Sequence, residues 1–217
     1  MVKAFLFDLG DTLIKNINID LEVGLIKLFP TLKDNQEFHQ YFLSFIDILK
    51  NRQDIEYNIN DLFDELFQKF DLHSSNSKEE LERKLFQYSC VDEAMDGVYS
   101  VLDHLKQKKM IMGVVSNSLF HQKILAEKLD SFNLLNYFSF VISSQDVGFR
   151  KGSPLIFEKA YHELLNIDST INKCDVIFIG DNYKLDYESS MNYGFNAIWF
   201  HNMKDLLNDI KEIVWKK

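Results

Sequence analysis

Proline is nearly absent: two residues in 217, set against nineteen phenylalanines. A chain so aromatic and so poor in proline does not read as disordered. Cysteine is equally scarce. Cys90 and Cys174 stand apart with no motif spacing, and they read as core thiols kept free in a reducing cytosol. No two histidines have the spacing of a metal pair, and all read as surface residues. Long apolar runs are missing too, and none approaches the roughly 20 residues of a membrane span. The opening MVKAFLFDLG carries one lysine and then an acid, which is not the pattern of a secretion signal. Lys and Arg number 24 against 33 Asp and Glu, for a formal net charge of −9. That balance argues against a nucleic-acid polymer or an anionic membrane as partner. The expectation is a cytoplasmic protein. Any anionic substrate must find a locally positive pocket, with a bound cation to help.

What is present is apolar and alternating. With 46% apolar residues the chain can bury one domain, or one domain plus a small insert. KAFLFD (3–8), MIMGVVS (110–116), VIFIGD (176–181), FSFVISS (138–144) and the shorter AIWF (197–200) are apolar runs that predict strands. Runs this apolar suit strands covered on both faces, as in a parallel sheet. Helical patterns lie between them. Val98, Val101, Leu102 and Leu105 share a face, as do Ile124, Leu125 and Leu129, and Ser153-Pro154 reads as N-cap and first position of another helix. The alternation predicts an α/β, doubly wound parallel sheet, which binds ligands beyond the carboxyl ends of its strands. One block breaks the alternation. From Lys15 to Cys90 the sequence offers no convincing strand. Phe38, Tyr41, Phe42, Phe45, Ile46 and Leu49 fall at helical spacing, as do Leu62, Phe63, Leu66, Phe67 and Phe70. Ser77 with Glu80 makes a capping box for a further helix. These aromatic stripes read as the core of a helical insert.

Asp8, Ser116 and Asp181 each end or directly follow a predicted strand, so all three meet at one edge of the sheet. Lys151 joins them from the loop before the Ser153 helix, and Asp186 from the turn after VIFIGD. Carboxylates with a backbone oxygen make a hard-oxygen site for Mg²⁺. A carboxylate can also attack phosphorus, while a hydroxyl and a lysine hold phosphoryl oxygens. Each residue has a plainer reading alone: Asp8 as a turn former, Ser116 as a helix N-cap, Asp186 as a helix-start acid, Lys151 as a solvated loop charge. Four such coincidences at one edge favour a site. Arg150, beside Lys151, reads as a surface charge.

FDLGDTL, VVSNS, RKGSP and FIGDNYKLD, in this order, resemble the four signatures of the haloacid dehalogenase-like hydrolase superfamily. The resemblance spans nearly the whole chain. It implies a Rossmann-like core of residues 1–14 and 91–217, an all-helical cap of residues 15–90, Mg²⁺ dependence and an aspartyl nucleophile. By position, Asp8 is nucleophile and metal ligand, the Gly10 carbonyl and Asp181 are metal ligands, and Asp186 is a metal or supporting acid. Ser116 and Lys151 bind phosphate, assisted by the Asn117 backbone N–H. The implied function is phosphatase action on a small phosphorylated metabolite by a monomer or homodimer.

The chain departs from that pattern at Gly10, where the family's second, acid–base aspartate usually stands. Losing a general acid/base costs about 10²–10⁴ in rate. Asp11 is the remaining candidate, but residues three apart in extended chain do not share a face. It could serve only if the loop turns sharply, and Gly10 is the residue that would permit the turn. Two alternatives stay open: a catalytically silent regulator of the same fold, and a phosphonatase-like C–P hydrolase using a lysine of the insert.

Overall fold

The structure, a computed structural model, describes residues 2–215. The chain opens with β1 (Ala4–Phe7). It then leaves the core through β2 (Ile14–Ile19), α1 (Leu21–Leu28), α2 (Gln36–Asn51), α3 (Ile59–Phe70), α4 (Lys78–Ser89) and β3 (Cys90–Ala94). From there strand and helix alternate: α5 (Val98–Gln107), β4 (Ile111–Ser116), α6 (Gln122–Ser131), β5 (Phe140–Ser143), α7 (Ser144–Val147), α8 (Pro154–Ile167) and β6 (Val176–Gly180). A π-helical turn (Tyr183–Glu188), α9 (Ser189–Tyr193), β7 (Asn196–Trp199) and α10 (Met203–Trp215) close the fold. None of these helices is long and apolar enough to cross a membrane.

Five strands form one parallel sheet in the order β5-β4-β1-β6-β7. All four residues of β1 are buried, so the strand is covered on both sides. The period-2 pleat sends Phe5 and Phe7 into one core with Val98, Leu102, Leu125 and Leu129. Ala4 and Leu6 go into the other with Ile156, Phe157, Ala160 and Leu164. The chain fills one side of β1 with β4 and β5, then crosses to build β6 and β7 on the other. That reversal puts a crevice at the carboxyl end of β1, where open sheets of this kind take their ligands.

Helices α2 and α3 form where aromatic periodicity predicts them, while α1 carries no such signal. Phe38 meets Phe70 edge-on at 5.8 Å between centroids, and Phe45 meets Tyr57 at 5.3 Å. The capping box of α4 is complete: the Glu80 N–H donates to Ser77 Oγ, and Glu80 Oε2 accepts from the Ser77 N–H.

The segment is not wholly helical, however. Its start, Ile14–Ile19, pairs antiparallel with Cys90–Ala94, with a bulge at Asn16/Asn18. The ribbon is hidden from periodicity because it is exposed: Ile17 and Ile19 are each 55% open to solvent, and only Ile14 of the strand is buried. The divisions expected at 14/15 and 90/91 therefore fall inside paired strands rather than in linkers. Cys90 is partly buried, whereas Cys174, expected in the core, is exposed.

Candidate active site

Asp8 leaves the end of β1 with its N–H donated to Ile179 O on β6 at 2.8 Å, so the sheet itself fixes its backbone. Asp181 follows β6 directly, and the Trp199 Nε1–H of β7 donates to its carbonyl at 2.8 Å. Asp186 returns to the same place from the π-helical turn, and its Oδ2 accepts the Asn182 N–H at 2.9 Å. Gly180 makes room for this return, since a Cβ there would fall 2.6 Å from Asp186 Cβ. One carboxylate oxygen from each of Asp8, Asp181 and Asp186 lies within 4.8 Å of the others.

Lys151 is the counter-ion. Its buried Nζ hydrogen-bonds to Asp8 Oδ1 and stands 2.6 Å from Asp186 Oδ1. Its backbone N–H donates to Asn117 Oδ1 at 2.6 Å, which ties the lysine loop to the end of β4. That side-chain role was not legible from sequence, where Asn117 offered only its backbone. Asn117 Nδ2 is buried with no hydrogen-bond partner. Ser116, the last residue of β4, is buried beside it.

Three carboxylates face one ammonium; Asp8, Asp186 and Lys151 are buried, while Asp181 stands at the exposed side of the cluster. Burial raises the Asp8 carboxyl to about 7; Lys151 pulls it back, and Asp186 and Asp181 push it further up. Burial raises Asp181 as well, with Asp186 adding to the rise. Burial works against the Lys151 ammonium, but Asp8 and Asp186 outweigh it and its pKa is raised. A hard divalent cation suits such a cluster, which offers oxygen donors, excess negative charge and incomplete coordination.

A cavity of about 370 Å³ opens over this cluster. Asp8, Gly10, Ser116, Asn117, Lys151, Asp181 and Asp186 all line it. Asp11 does not. The loop does turn sharply, yet it turns at Asp11 itself (φ 52°) rather than at Gly10. The Asp11 carboxylate then accepts the Asn16 N–H at 3.0 Å, and its own N–H donates to Ile14 O. Beside Gly10 stands Asn16, whose Nδ2 lies 2.8 Å from where a Cβ would be. Arg150, expected at the surface, lines the cavity and is ion-paired to Glu56. Arg52 joins from the insert. No local sequence pattern announces Arg150, whose partner Glu56 is 94 residues away; Arg52 stands four residues before the same glutamate.

Residues 5–200 match the family described as haloacid dehalogenase-like hydrolase. The human haloacid dehalogenase-like hydrolase domain-containing protein 3 is 26% identical over 114 residues, 52% of this chain and 42% of that protein. The chain thus spans less than half the length of that relative. A glyceraldehyde 3-phosphate phosphatase from Pyrococcus abyssi is 24% identical over 222 residues, covering 92% of this chain and 82% of its own. Among solved structures, a HAD phosphatase from Thermococcus onnurineus superposes with a TM-score of 0.66 at 22% identity, covering 100% of this chain and 99% of its own. A 2-haloacid dehalogenase from Pseudomonas syringae pv. Tomato gives 0.69 at 19%, covering 98% and 100%. At these identities the structural likeness is one of fold. With the match running from the first strand to the end of the last, the chain belongs to the haloacid dehalogenase-like hydrolase family.

Proposed function

We propose that the protein is a Mg²⁺-dependent phosphomonoesterase of small phosphorylated metabolites, working through a phospho-Asp8 intermediate. The observation that carries this reading is Asp8, buried at the sheet's crevice, with Lys151 on Oδ1 and two further carboxylates beside it. With Oδ1 held, Oδ2 is the attacking atom. It forms a bond to phosphorus as the bond to the leaving oxygen breaks, and the leaving alkoxide takes a proton from water. A second water then attacks phosphorus, the bond to Asp8 breaks, and inorganic phosphate departs. Ser116, Asn117 Nδ2 and Lys151 hold the phosphoryl oxygens. Asp8, Asp181, the Gly10 carbonyl and, directly or in support, Asp186 would hold Mg²⁺, which when bound neutralises phosphate charge. The glyceraldehyde 3-phosphate phosphatase among the relatives supports a phosphate-ester substrate.

Residues 15–90 act as the cap over the core of 1–14 and 91–217. Ile19, Leu21, Leu49 and Arg52 of this segment line the cavity, and closure excludes bulk water. Asp11 works as a turn residue and not as the acid–base group. With no carboxyl group at Gly10, turnover favours substrates with good leaving groups. Among the described residues no lysine of the insert lines the cavity, so nothing favours the C–P hydrolase.

The test is an assay of p-nitrophenyl phosphate, sugar phosphates and nucleotides with Mg²⁺. Wild type should turn over at least one, and Asp8→Asn should lose about 10³-fold or more. A wild type inert on all of them, with activity gained by Gly10→Asp, would instead make this a silent member of the family.

A further inference from the structure

Arg52 is the C-cap of α2 and lines the same cavity as Asp8. Its side chain is only 16% exposed. Nη1 stands 3.1 Å from Glu56 Oε1, yet neither Nη1 nor Nε makes a hydrogen bond, and both are shielded from solvent. Arg150 reaches the cavity from the core, donating through Nη1 to Glu56 Oε2 at 2.8 Å. Glu56 is already well supplied: it accepts the Ser144 hydroxyl at 2.6 Å and the Tyr57 N–H at 3.0 Å. One carboxylate therefore faces two guanidiniums, and one positive charge is left over. Burial lowers the Arg52 pKa to about 10, with Glu56 opposing the fall and Arg150 adding to it. The third cation of the cavity besides Lys151 is Lys128, which is paired with Asp92 and leaves no surplus.

The arginines are held in place from both sides of the fold. The Arg150 N–H donates to Asp54 O at 2.7 Å, and the Glu56 N–H donates to Gly148 O at 3.0 Å. This short antiparallel bridge joins the insert to the loop that carries Lys151. The cavity thus carries a surplus of negative charge at the aspartates and a surplus of positive charge at the arginines. Two guanidiniums in a cavity wall that share one carboxylate carry unmatched positive charge, which an oxyanion would match.

We infer that Arg52 and Arg150 form a subsite for a second anionic group, so that the preferred substrate is a phosphomonoester that also carries a carboxylate or a further phosphate. The inference rests on the phosphatase reading for the end of the ligand that meets Asp8.

Calorimetric binding to Asp8→Asn protein with Mg²⁺ tests it without turnover. One matched pair, 3-phosphoglycerate against glycerol 3-phosphate, tests a carboxylate. The other, fructose 1,6-bisphosphate against fructose 6-phosphate, tests a second phosphate. In at least one pair the member with two anionic groups should bind about tenfold tighter or more. Adding Arg52→Met should weaken that member at least about tenfold more than its partner, and Arg52→Lys should keep part of the preference. The subsite is overturned if neither pair shows a preference, if no probe binds, or if Arg52→Lys, folded by its thermal midpoint, weakens both members equally. A wild type that turns over no phosphomonoester while the preference and its loss in Arg52→Met persist would sink the phosphatase reading and leave the subsite standing.

Discussion

At the carboxyl edge of the sheet three carboxylates cluster about one lysine, which pairs with Asp8 and Asp186, whereas each buried glutamate of the inserted segment has its own hydrogen-bond donors. Glu56 has two guanidiniums, a hydroxyl and a backbone N–H around it. Glu82 accepts the His121 N–H at 2.6 Å and lies 2.8 Å from His121 Nδ1. Burying charge is costly in both regions, but only at the sheet edge do several acids compete for one partner. Under-compensated acids at a crevice mark chemistry, since the missing charge is what a cation and a substrate must bring. Matched acids mark joinery: Glu56 and Glu82 lie where the insert touches the core, and each fixes a core loop or helix start. The arginines around Glu56 depart from that pattern in the opposite sense, with charge to spare.

The sharpest way to break this contrast is to remove the single cation of the sheet edge. Lys151→Met leaves Asp8 and Asp186 buried without their partner. Loss of about 3–5 kcal/mol is expected from urea unfolding in a chelator. Adding Mg²⁺ should return part of that loss, because the ion binds only the folded cluster. Turnover should also fall by about 10²-fold or more, read on p-nitrophenyl phosphate. Unchanged stability in the chelator would show that the cluster does not depend on Lys151.

Adding an acid where the edge lacks one should have the opposite effect on rate. Gly10→Asp places a carboxyl next to Asn16 Nδ2, the far end of a side chain that can move aside. A rise of about 10- to 100-fold is expected on alkyl phosphates and little on p-nitrophenyl phosphate, whose leaving group needs no proton. Equal rises on both would mean that the new residue does something other than protonate the leaving group.

On the insert side the matching change is Glu82→Gln. It keeps the shape but turns one acceptor into a donor facing His121. A loss of about 1–3 kcal/mol in thermal or urea unfolding is expected, with the turnover of the folded protein nearly unchanged. A selective collapse of activity at full stability would move Glu82 from joinery to chemistry.

The same contrast explains what the sequence could and could not reveal. The central strands are legible because burial on both faces makes nearly every residue of AFLF or VIFIG apolar, whereas the edge strand β7 has no buried residue and offers only a short run. Once the strands are placed, topology alone brings Asp8, Ser116 and Asp181 together. Helices α2 to α4 are legible from aromatic period and a capping box. The ribbon was not. IKNINI and CVDEA are mostly exposed or half-buried, with Ile14 alone buried, and find each other across the whole insert. Arg150 read as a surface charge for a related reason: its partner Glu56 is 94 residues away. Interactions made by matched charges at a tertiary seam have no period and no fixed spacing, so no local pattern carries them.

The smallest expected effect concerns the other acid of FDLGDTL. Asp11 sits in the left-handed region, where a short polar side chain can close a local hydrogen bond, and its carboxylate takes the Asn16 N–H. Asn keeps both the backbone preference and an acceptor oxygen. Asp11→Asn should therefore change kcat/KM by less than about threefold, well below the loss from removing an acid–base group. Ala keeps neither, so Asp11→Ala should cost about 1–2 kcal/mol of stability while the folded enzyme still turns over. If Asn instead lowers the rate on alkyl phosphates by about 10²-fold and spares p-nitrophenyl phosphate, the Asp11 carboxyl must swing toward the cavity during turnover and supply the proton that Gly10 cannot.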